Sequence, residues 1–244
     1  MKTRPLSRQN RPSLLVSALS FAAMIPAFFA LGCKSGGETP PATAASAAAA
    51  PPTLTAPVAL FNGKDTSGWV QVLDSKWTVE DGVLLARQDP KGRRDGESWL
   101  ITEKDYADFL LAVKFRVTPG GNSGVFLRDP ITRADRLAAA DGGNPGPWES
   151  GVEANINAVD PEYPTGSIWA IAKGTKGVER AGDWNDMVIE IRGDKVSTWV
   201  NGQVAVSNAT QTRTQRGGIG LQRHGTAQFK DKLVEFKEIS IQEL

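Results

Sequence analysis

The sequence contains a single cysteine, Cys33, and a single histidine, His224, among its 244 residues. One cysteine excludes an internal disulfide framework. One histidine without a cysteine partner or a His-Glu-x-x-His pattern argues against a typical zinc site, so no metal residues are assigned. No cofactor is therefore certain, and the metal chemistry left open is an oxygen-ligated divalent cation with Glu153 or Asp160 as ligand.

A marked excess of charge of either sign is also absent, with 28 Lys and Arg against 27 Asp and Glu. Four of the bases precede Cys33 with no acid among them, which leaves 24 bases and 27 acids in the rest. Nucleic-acid binding needs clustered bases that neutralise phosphates, so no nucleic-acid partner is expected. The Gly-x-Ser-x-Gly elbow, the Walker loop and the dinucleotide fingerprint are missing as well.

The N-terminal segment has the order of a bacterial export signal. Basic residues come first, an apolar run extends from Leu14 to Leu31, and Ala30-Leu31-Gly32 precede Cys33. This ending resembles a lipobox, so residues 1–32 are predicted to be a lipoprotein signal peptide. An uncleaved membrane anchor is the alternative, because the run is about long enough to span a bilayer. We expect export and lipid anchoring at Cys33 in the bacterial cell envelope, on the periplasmic side or at the outer membrane.

Residues 33–57 are rich in Ala, Pro, Thr and Gly, a composition that predicts an extended tether between the anchor and a folded domain. The remaining residues, 58–244, are about the size of one β-sandwich domain. A single domain is therefore expected after the tether.

Sustained helical periodicity is missing from residues 58–244, whereas strand signals recur throughout. Apolar residues occupy every second position from Phe109 to Val117. Asp81-Gly82 and Asn201-Gly202 suit tight hairpin turns, and a slip of apolar parity between Phe236 and Ile239 predicts a bulge. These patterns predict an all-β domain, a β-sandwich or jelly roll of antiparallel strands.

A long segment from Asp129 to Ser150 is rich in Gly, Ala, Asp and Pro and carries Trp148 near its end. Loops of this length are usually functional or disordered. Two interpretations stay open: a tolerated surface insertion, or a rim on which Trp148 stacks against a sugar.

Strand parity separates core positions from polar ones in three places. Glu153, Asn155 and Asn157 alternate with apolar neighbours in one strand. Asn122, Phe126 and Arg128 oppose Val125 and Leu127 in a second, and Gln222 and His224 oppose Ile219 and Leu221 in a third. Any antiparallel sheet can have a wet outer face. Amides, Arg and His are nevertheless unusual on such a face, and they are suited to hydrogen bonding with sugar hydroxyls, so a carbohydrate site is favoured.

Several motifs in one order resemble the bacterial 3-keto-disaccharide hydrolase domain family. They are Phe61-Asn-Gly-Lys-Asp-Thr-Ser-Gly-Trp69, Gly121-Asn-Ser-Gly-Val-Phe-Leu-Arg128, Gly151-Val-Glu153, Thr165-Gly-Ser167, Trp184-Asn185, Trp199-Val-Asn-Gly202 and Gly218-Ile-Gly-Leu-Gln-Arg-His224. The resemblance covers nearly all of residues 58–244. It implies a concanavalin A-like jelly-roll β-sandwich of two antiparallel sheets.

The chain departs from the family pattern at a few positions. Asn155 and Asn157 precede Asp160 where the family usually has a Gln and then an Asp, and Trp169 replaces a usual Tyr. The final Phe-Arg-Asn-Ile is Phe236-Lys-Glu-Ile239 here, and the segment before Gly151 is longer than usual. The substrate pocket is therefore expected to differ in detail.

The resemblance implies an enzyme that cleaves 3-keto-glycosides or 3-keto-disaccharides by removing the C2 proton and breaking the C1–O bond. This chemistry needs a base, an acid and a stabiliser of the enolate. We assign His224 or Glu153 as base or acid, and Arg128 and Asn122 to the ketone and enolate. Substrate-binding positions are predicted to be Gln222, Asn155, Trp148 and Trp169. A divalent cation could replace the enolate-stabilising groups.

Two alternatives use the same carbohydrate partner. A non-catalytic, lectin-like lipoprotein would need the same polar face and no base. A conventional endoglucanase is disfavoured because the Glu-x-Asp-x-x-Glu strand motif is missing.

The predicted anchor is tested by the variant Cys33→Ser. Wild-type protein expressed in a bacterium should lose residues 1–32, incorporate a fatty-acid label and sediment with membranes, because the acyl chains supply the membrane affinity. The variant should incorporate no label, whereas the matched variant Ser35→Ala should behave as wild type. Labelling that persists in Cys33→Ser, or a mature wild-type mass that retains residues 1–32, would contradict the prediction.

Overall fold

The computed structural model describes residues 50–73, 75–88, 97–132, 134–135 and 151–244. The predicted signal peptide, Cys33 and Trp148 lie outside these residues, as does most of the tether and of the long segment before Gly151. Within the described part of the chain, no helix is both long and apolar enough to cross a bilayer. The end of the predicted tether contacts the domain, since the backbone amides of Thr55 and Ala56 donate to Gln242 Oε1 at 2.7 and 3.1 Å.

Strands account for nearly all regular structure in the described ranges. In chain order they are β1 (Val58–Ala59), β2 (Trp69–Leu73), β3 (Ser75–Glu80), β4 (Val83–Gln88), β5 (Ser98–Thr102), β6 (Phe109–Val117), β7 (Ser123–Asp129), β8 (Val152–Ile156), β9 (Asn185–Arg192), β10 (Lys195–Val200), β11 (Gln203–Thr210), β12 (Gly218–Arg223) and β13 (Val234–Glu243). A short 3₁₀ turn at Ala227–Phe229 precedes β13.

The strands form two antiparallel sheets. The larger, eight-stranded sheet has the order β11-β10-β9-β6-β13-β4-β3, with β1 paired to β13. The five-stranded sheet has the order β2-β5-β12-β7-β8. This arrangement confirms the predicted all-β sandwich.

The core between the sheets follows from period-two alternation. Phe109, Leu111, Val113, Phe115 and Val117 of β6 are all buried in the main apolar cluster, as the sequence predicts. The five-stranded sheet contributes its own inward residues to the same cluster, among them Leu100, Val125, Leu127, Ala154, Ile219 and Leu221. The neighbours of these residues in sequence therefore lie on the outer face of that sheet.

The predicted turns and bulge are present. Asp81 and Gly82 join β3 to β4 with φ of 49° and 78°, and Asn201 and Gly202 join β10 to β11 with φ of 51° and 78°. Positive φ at both central residues is the requirement of a type I′ hairpin turn. In β13 the register against β6 shifts between Lys237 and Ser240, which accounts for the slip in apolar parity.

The outer face of the five-stranded sheet is divided into two halves. Val70, Val72, Trp99, Ile101 and Phe126 form a second buried apolar cluster there. The Trp99 and Phe126 rings meet edge to face, with centroids 6.0 Å apart. The polar residues that sequence parity selects occupy the β12-β7-β8 half.

Arg128 is the exception, and its expected position on the polar face is wrong. Gly220 of β12 pairs with Phe126 of β7, but Gly218 pairs with Asp129, so β7 has one extra residue in this interval. Such a bulge reverses the side on which the following side chain lies, and Arg128 has the left-handed φ of 52°. Its side chain is completely buried and does not line the pocket on the outer face.

The buried guanidinium of Arg128 joins several segments. Its Nε donates to Ala107 O at 2.5 Å, and Nη1 donates to Gly193 O and Arg213 O at 2.7 and 2.8 Å. Nη2 donates to Asp108 Oδ1 at 2.6 Å. Burial lowers the pKa of Arg128, and the Asp108 carboxylate partly offsets this effect. The side chain is thus a structural crosslink.

We predict that Arg128→Lys destabilises the fold by about 3 kcal/mol. An ammonium cannot reproduce the planar fork, and each hydrogen bond to a charged group contributes roughly 1.5–3 kcal/mol. Urea unfolding followed by circular dichroism measures the change.

The control is Arg87→Lys, which alters an exposed pair between Arg87 Nη1 and Glu80 Oε1 at 2.5 Å. A surface pair contributes about 0–1 kcal/mol, so this variant should unfold almost as wild type does. Equal destabilisation by the two variants would refute the crosslink.

Candidate functional site

A cavity of about 140 Å³ opens on the polar half of the outer face of the five-stranded sheet. Six of its lining residues are those predicted from sequence: Asn122, Glu153, Asn155, Trp169, Gln222 and His224. Four others also line it: Phe126, Gly151, Asp160 and Ile171. The cavity therefore gathers two carboxylates, an imidazole and several amides beside aromatic and apolar groups.

The strand register explains this convergence. Gly124 of β7 pairs with Asn155 of β8, and Phe126 pairs with Glu153. Gly220 of β12 pairs with Phe126, and continuing this register places Gln222 opposite Gly124. Directly paired residues have side chains on the same face of a sheet. Glu153, Asn155 and Gln222 therefore share one face although they belong to two non-adjacent strands.

Glycine makes room for the cavity at its centre. Gly124 of β7 stands where the pattern would otherwise place a side chain between β12 and β8. The Glu153 side chain lies over Gly124: a Cβ added there would come 3.0 Å from Glu153 Cγ and 3.1 Å from Cδ, and closer still to Oε1. The carboxylate position thus depends on a missing side chain in the neighbouring strand.

Two amide side chains have acceptors that receive no hydrogen bond from the described residues. Gln222 is 3% exposed, and within the described residues its Oε1 accepts no hydrogen bond. Asn122 Oδ1 is also buried and accepts none from this part of the chain. A buried polar atom without a partner costs about 1–3 kcal/mol. Unsatisfied amides at the wall of a cavity indicate hydrogen bonding to a ligand.

The connection after β8 folds back to complete the cavity wall. The Asn155 side-chain amide donates to Tyr163 O, and the Asn155 backbone pairs with Gly166 and Ser167. Asp160 Oδ1 accepts from the amides of Glu162 and Tyr163 at 2.8 Å each. These bonds fix the loop that carries Asp160.

His224 is half-buried at the end of β12. Its ring packs edge to face against Phe229, with centroids 5.1 Å apart. This contact supports the ring on one side, and the partly exposed residue lines the cavity.

An aromatic lip borders the opening. Trp169 is 53% exposed and Ile171 is 46% exposed, although both are large and apolar. Tyr163 supports Trp169, with ring centroids 6.4 Å apart. An exposed indole beside unsatisfied amides has the chemistry needed to bind a pyranose, whose C–H face stacks while its hydroxyls donate and accept.

Most residues of the cavity wall are ones that the sequence predicts, and a few are not. Trp148 lies outside the described residues, and Arg128 is buried elsewhere. Gly124 and Gly220 could have been recognised from strand positions that carry no side chain. Asp160, considered only as a cation ligand, joins the wall through the loop, which parity cannot predict.

Metal binding finds limited geometric support. Over the described ranges, no three residues among His, Cys, Asp and Glu lie close enough to hold an ion together.

Known proteins share both sequence and fold with this chain. The model of the 3-keto-alpha-glucoside-1,2-lyase-like domain family matches residues 56–242. A 3-keto-disaccharide hydrolase from Bacteroides thetaiotaomicron is 34% identical over 86 residues. That alignment covers 32% of this chain and 30% of the relative, so the match spans under a third of the relative's length.

Solved structures with low sequence identity have the same fold. A candidate glycosyl hydrolase from Parabacteroides distasonis gives a TM-score of 0.58 at 23% identity, covering 77% of this chain and 94% of that one. A carbohydrate-binding module from Bacillus subtilis gives 0.52 at 14% identity, covering 72% and 96%. These likenesses confirm the predicted concanavalin A-like jelly-roll sandwich, and at such identities they show the fold alone.

We predict that Gly124→Ala displaces the Glu153 carboxylate. The added methyl would overlap a flexible side chain, so the side chain should rotate away by roughly an ångström or more while the backbone stays in place. A crystal structure of the variant measures the displacement.

Gly220→Ala is the matched control. Its Cβ would meet Phe126 Cβ at 3.4 Å, which is ordinary contact, so Glu153 should not move. An unmoved carboxylate in Gly124→Ala would show that Gly124 does not set its position.

Proposed function

Because the chain belongs to the 3-keto-alpha-glucoside-1,2-lyase-like domain family, we propose that it cleaves glycosides whose sugar carries a ketone at C3. The observation that carries the proposal is the meeting of Glu153 and His224 in one cavity with the unsatisfied amides of Asn122 and Gln222. Proton transfer and hydrogen bonding to the donor hydroxyls of a sugar are thereby available at the same place.

The chemistry follows from the ketone. A C3 carbonyl acidifies the hydrogen on C2, so a base can remove that proton and leave the electron pair in an enolate. The enolate reforms the carbonyl and expels the oxygen substituent from C1, which takes a proton as it leaves. The products are an unsaturated 3-keto sugar and a free alcohol, and addition of water at C1 would complete a hydrolysis.

Glu153 and His224 serve as base and acid in this scheme. General acid–base catalysis by a positioned side chain typically contributes about two to four powers of ten in rate. The side-chain amide nitrogens of Asn122 and Gln222 donate to the ketone and to the enolate oxygen that develops from it, the role that the sequence predicts for Arg128 and Asn122. Their unsatisfied oxygens accept from sugar hydroxyls. Asn155 and Trp169 hold the sugar.

Ordinary glycosidase chemistry fits the cavity less well. It needs two carboxylates placed on either side of the bond that breaks. The carboxylates here are Glu153 and Asp160, and Asp160 already accepts two backbone hydrogen bonds within its own loop.

A lectin-like protein without catalysis is the second candidate. The exposed Trp169 and the unsatisfied amides would bind a sugar equally well without a base. For the enzyme and for the lectin-like protein alike, the proposal includes export and a lipid anchor at Cys33. The anchor would hold the domain at the cell envelope.

The catalytic assignment is tested with Glu153→Gln and His224→Asn. Each should lower kcat for a 3-keto-glucoside by about two to four powers of ten, because each removes a proton-transfer group. Product formation is measured by mass spectrometry, and thermal unfolding verifies the fold.

Glu190→Gln, on the larger sheet and away from the cavity, is the control and should retain full activity. Undiminished turnover by both cavity variants would remove the assignment. Sugar binding by calorimetry with no product from wild-type protein would establish the lectin instead. Loss of activity on exhaustive chelation would add a cation to the site.

A further inference from the structure

A second cavity of about 300 Å³ lies beside the first and is more open to solvent. Its walls include Asn157, Val159, Asp160, Gln228 and Phe229. Asn157 and Val159 belong to the chain that leaves β8, and Gln228 and Phe229 belong to the 3₁₀ turn after β12. We refer to this cavity as the outer groove.

The outer groove adjoins the cavity that holds Glu153. Asp160 lines both. His224 of the inner cavity packs its ring against Phe229 of the groove at 5.1 Å. A ligand could therefore extend from one space into the other past Asp160 and His224.

The volume of the inner cavity is too small for a substrate larger than one sugar. Small-molecule sites usually have volumes of about 300–1,000 Å³. The inner cavity, at about 140 Å³, is below this range, and the groove of about 300 Å³ brings the combined space within it. The two spaces together suit a ligand of two linked units.

The surface of the groove suits a second pyranose. Val159 is 65% exposed and offers an apolar contact for the C–H face of a ring. Gln228 is exposed, and Asn157 uses its Oδ1 to accept from Val159 N at 3.3 Å. The Asn157 amide nitrogen therefore keeps its donors for hydroxyls. Asp160 Oδ1 is engaged by its own loop, which leaves Oδ2 at the junction as an acceptor.

We propose that the outer groove binds the leaving-group sugar of a 3-keto-disaccharide, with the oxidised ring in the inner cavity. The inference rests on the proposed function and deepens it. The C1–O bond then lies at the junction, beside Asp160 and His224. This placement puts His224 on the leaving-group side, where it donates a proton to the departing oxygen, and leaves Glu153 to remove the C2 proton.

The test is the double variant Val159→Ser/Gln228→Ala, which removes the apolar contact and the exposed amide without touching the inner cavity. With a 3-keto-glucosyl-glucose disaccharide we expect KM to rise about tenfold, the equivalent of 1.4 kcal/mol. With methyl 3-keto-glucoside, which has no second ring, kcat and KM should both stay at the wild-type values.

The matched control is Val58→Ser/Gln203→Ala on the larger sheet, where Val58 is 64% exposed and Gln203 is exposed. It should leave both substrates unaffected. If the groove variant changes neither substrate, or weakens both equally, the inference is overturned while the proposed function stands.

A binding experiment tests the proposed sugar binding in the outer groove independently of the proposed catalytic function. If wild-type protein turns over neither compound, the proposed function fails, and calorimetry with the same two compounds decides the groove. Disaccharide binding at least about tenfold tighter than methyl glycoside binding, lost in the groove variant alone, supports the groove. Equal affinities for the two compounds overturn it.

Discussion

The antiparallel register of β7 with β8 and β12 is the constraint on which the site depends. It brings Glu153 and Asn155 from one neighbour and Gln222 from the other to the same face. Because side chains alternate strictly along a strand, the same register that buries Val125, Ala154 and Leu221 in the core must turn these polar groups outward. The core and the cavity are therefore two consequences of one pairing.

Gly124, which lies between β12 and β8, completes the arrangement. With a side chain at Gly124, the Glu153 carboxylate could not occupy its present position. Phe126, which belongs to the apolar half of this face, gives one side of the cavity an apolar wall. A low-dielectric wall beside polar groups strengthens their electrostatic effect on a bound ligand.

Stability and function make opposite demands on this face. The buried acceptors of Asn122 and Gln222 receive no hydrogen bond from the described residues, whereas all three guanidinium nitrogens of the buried Arg128 donate to carbonyls or to Asp108. Buried acceptors without a protein partner are typical of ligand-binding sites, because the bound ligand supplies the missing hydrogen bonds. This difference in hydrogen bonding distinguishes a ligand-binding residue from a structural one. Residue type does not distinguish them, since both sets of residues are polar and both lie on or next to β7 or β12.

The sequence by itself determined the sandwich, its hairpins, the bulge in β13 and most of the polar set, because alternation and turn residues are local properties of the chain. The ordered motifs also indicated the family. Only the tertiary structure decided that Arg128 belongs to the interior, since the bulge that inverts it is a property of the pairing between β7 and β12. The same holds for Asp160 and for the outer groove. Both depend on a loop after β8 and a turn after β12 meeting in space, which no periodicity along one strand can encode.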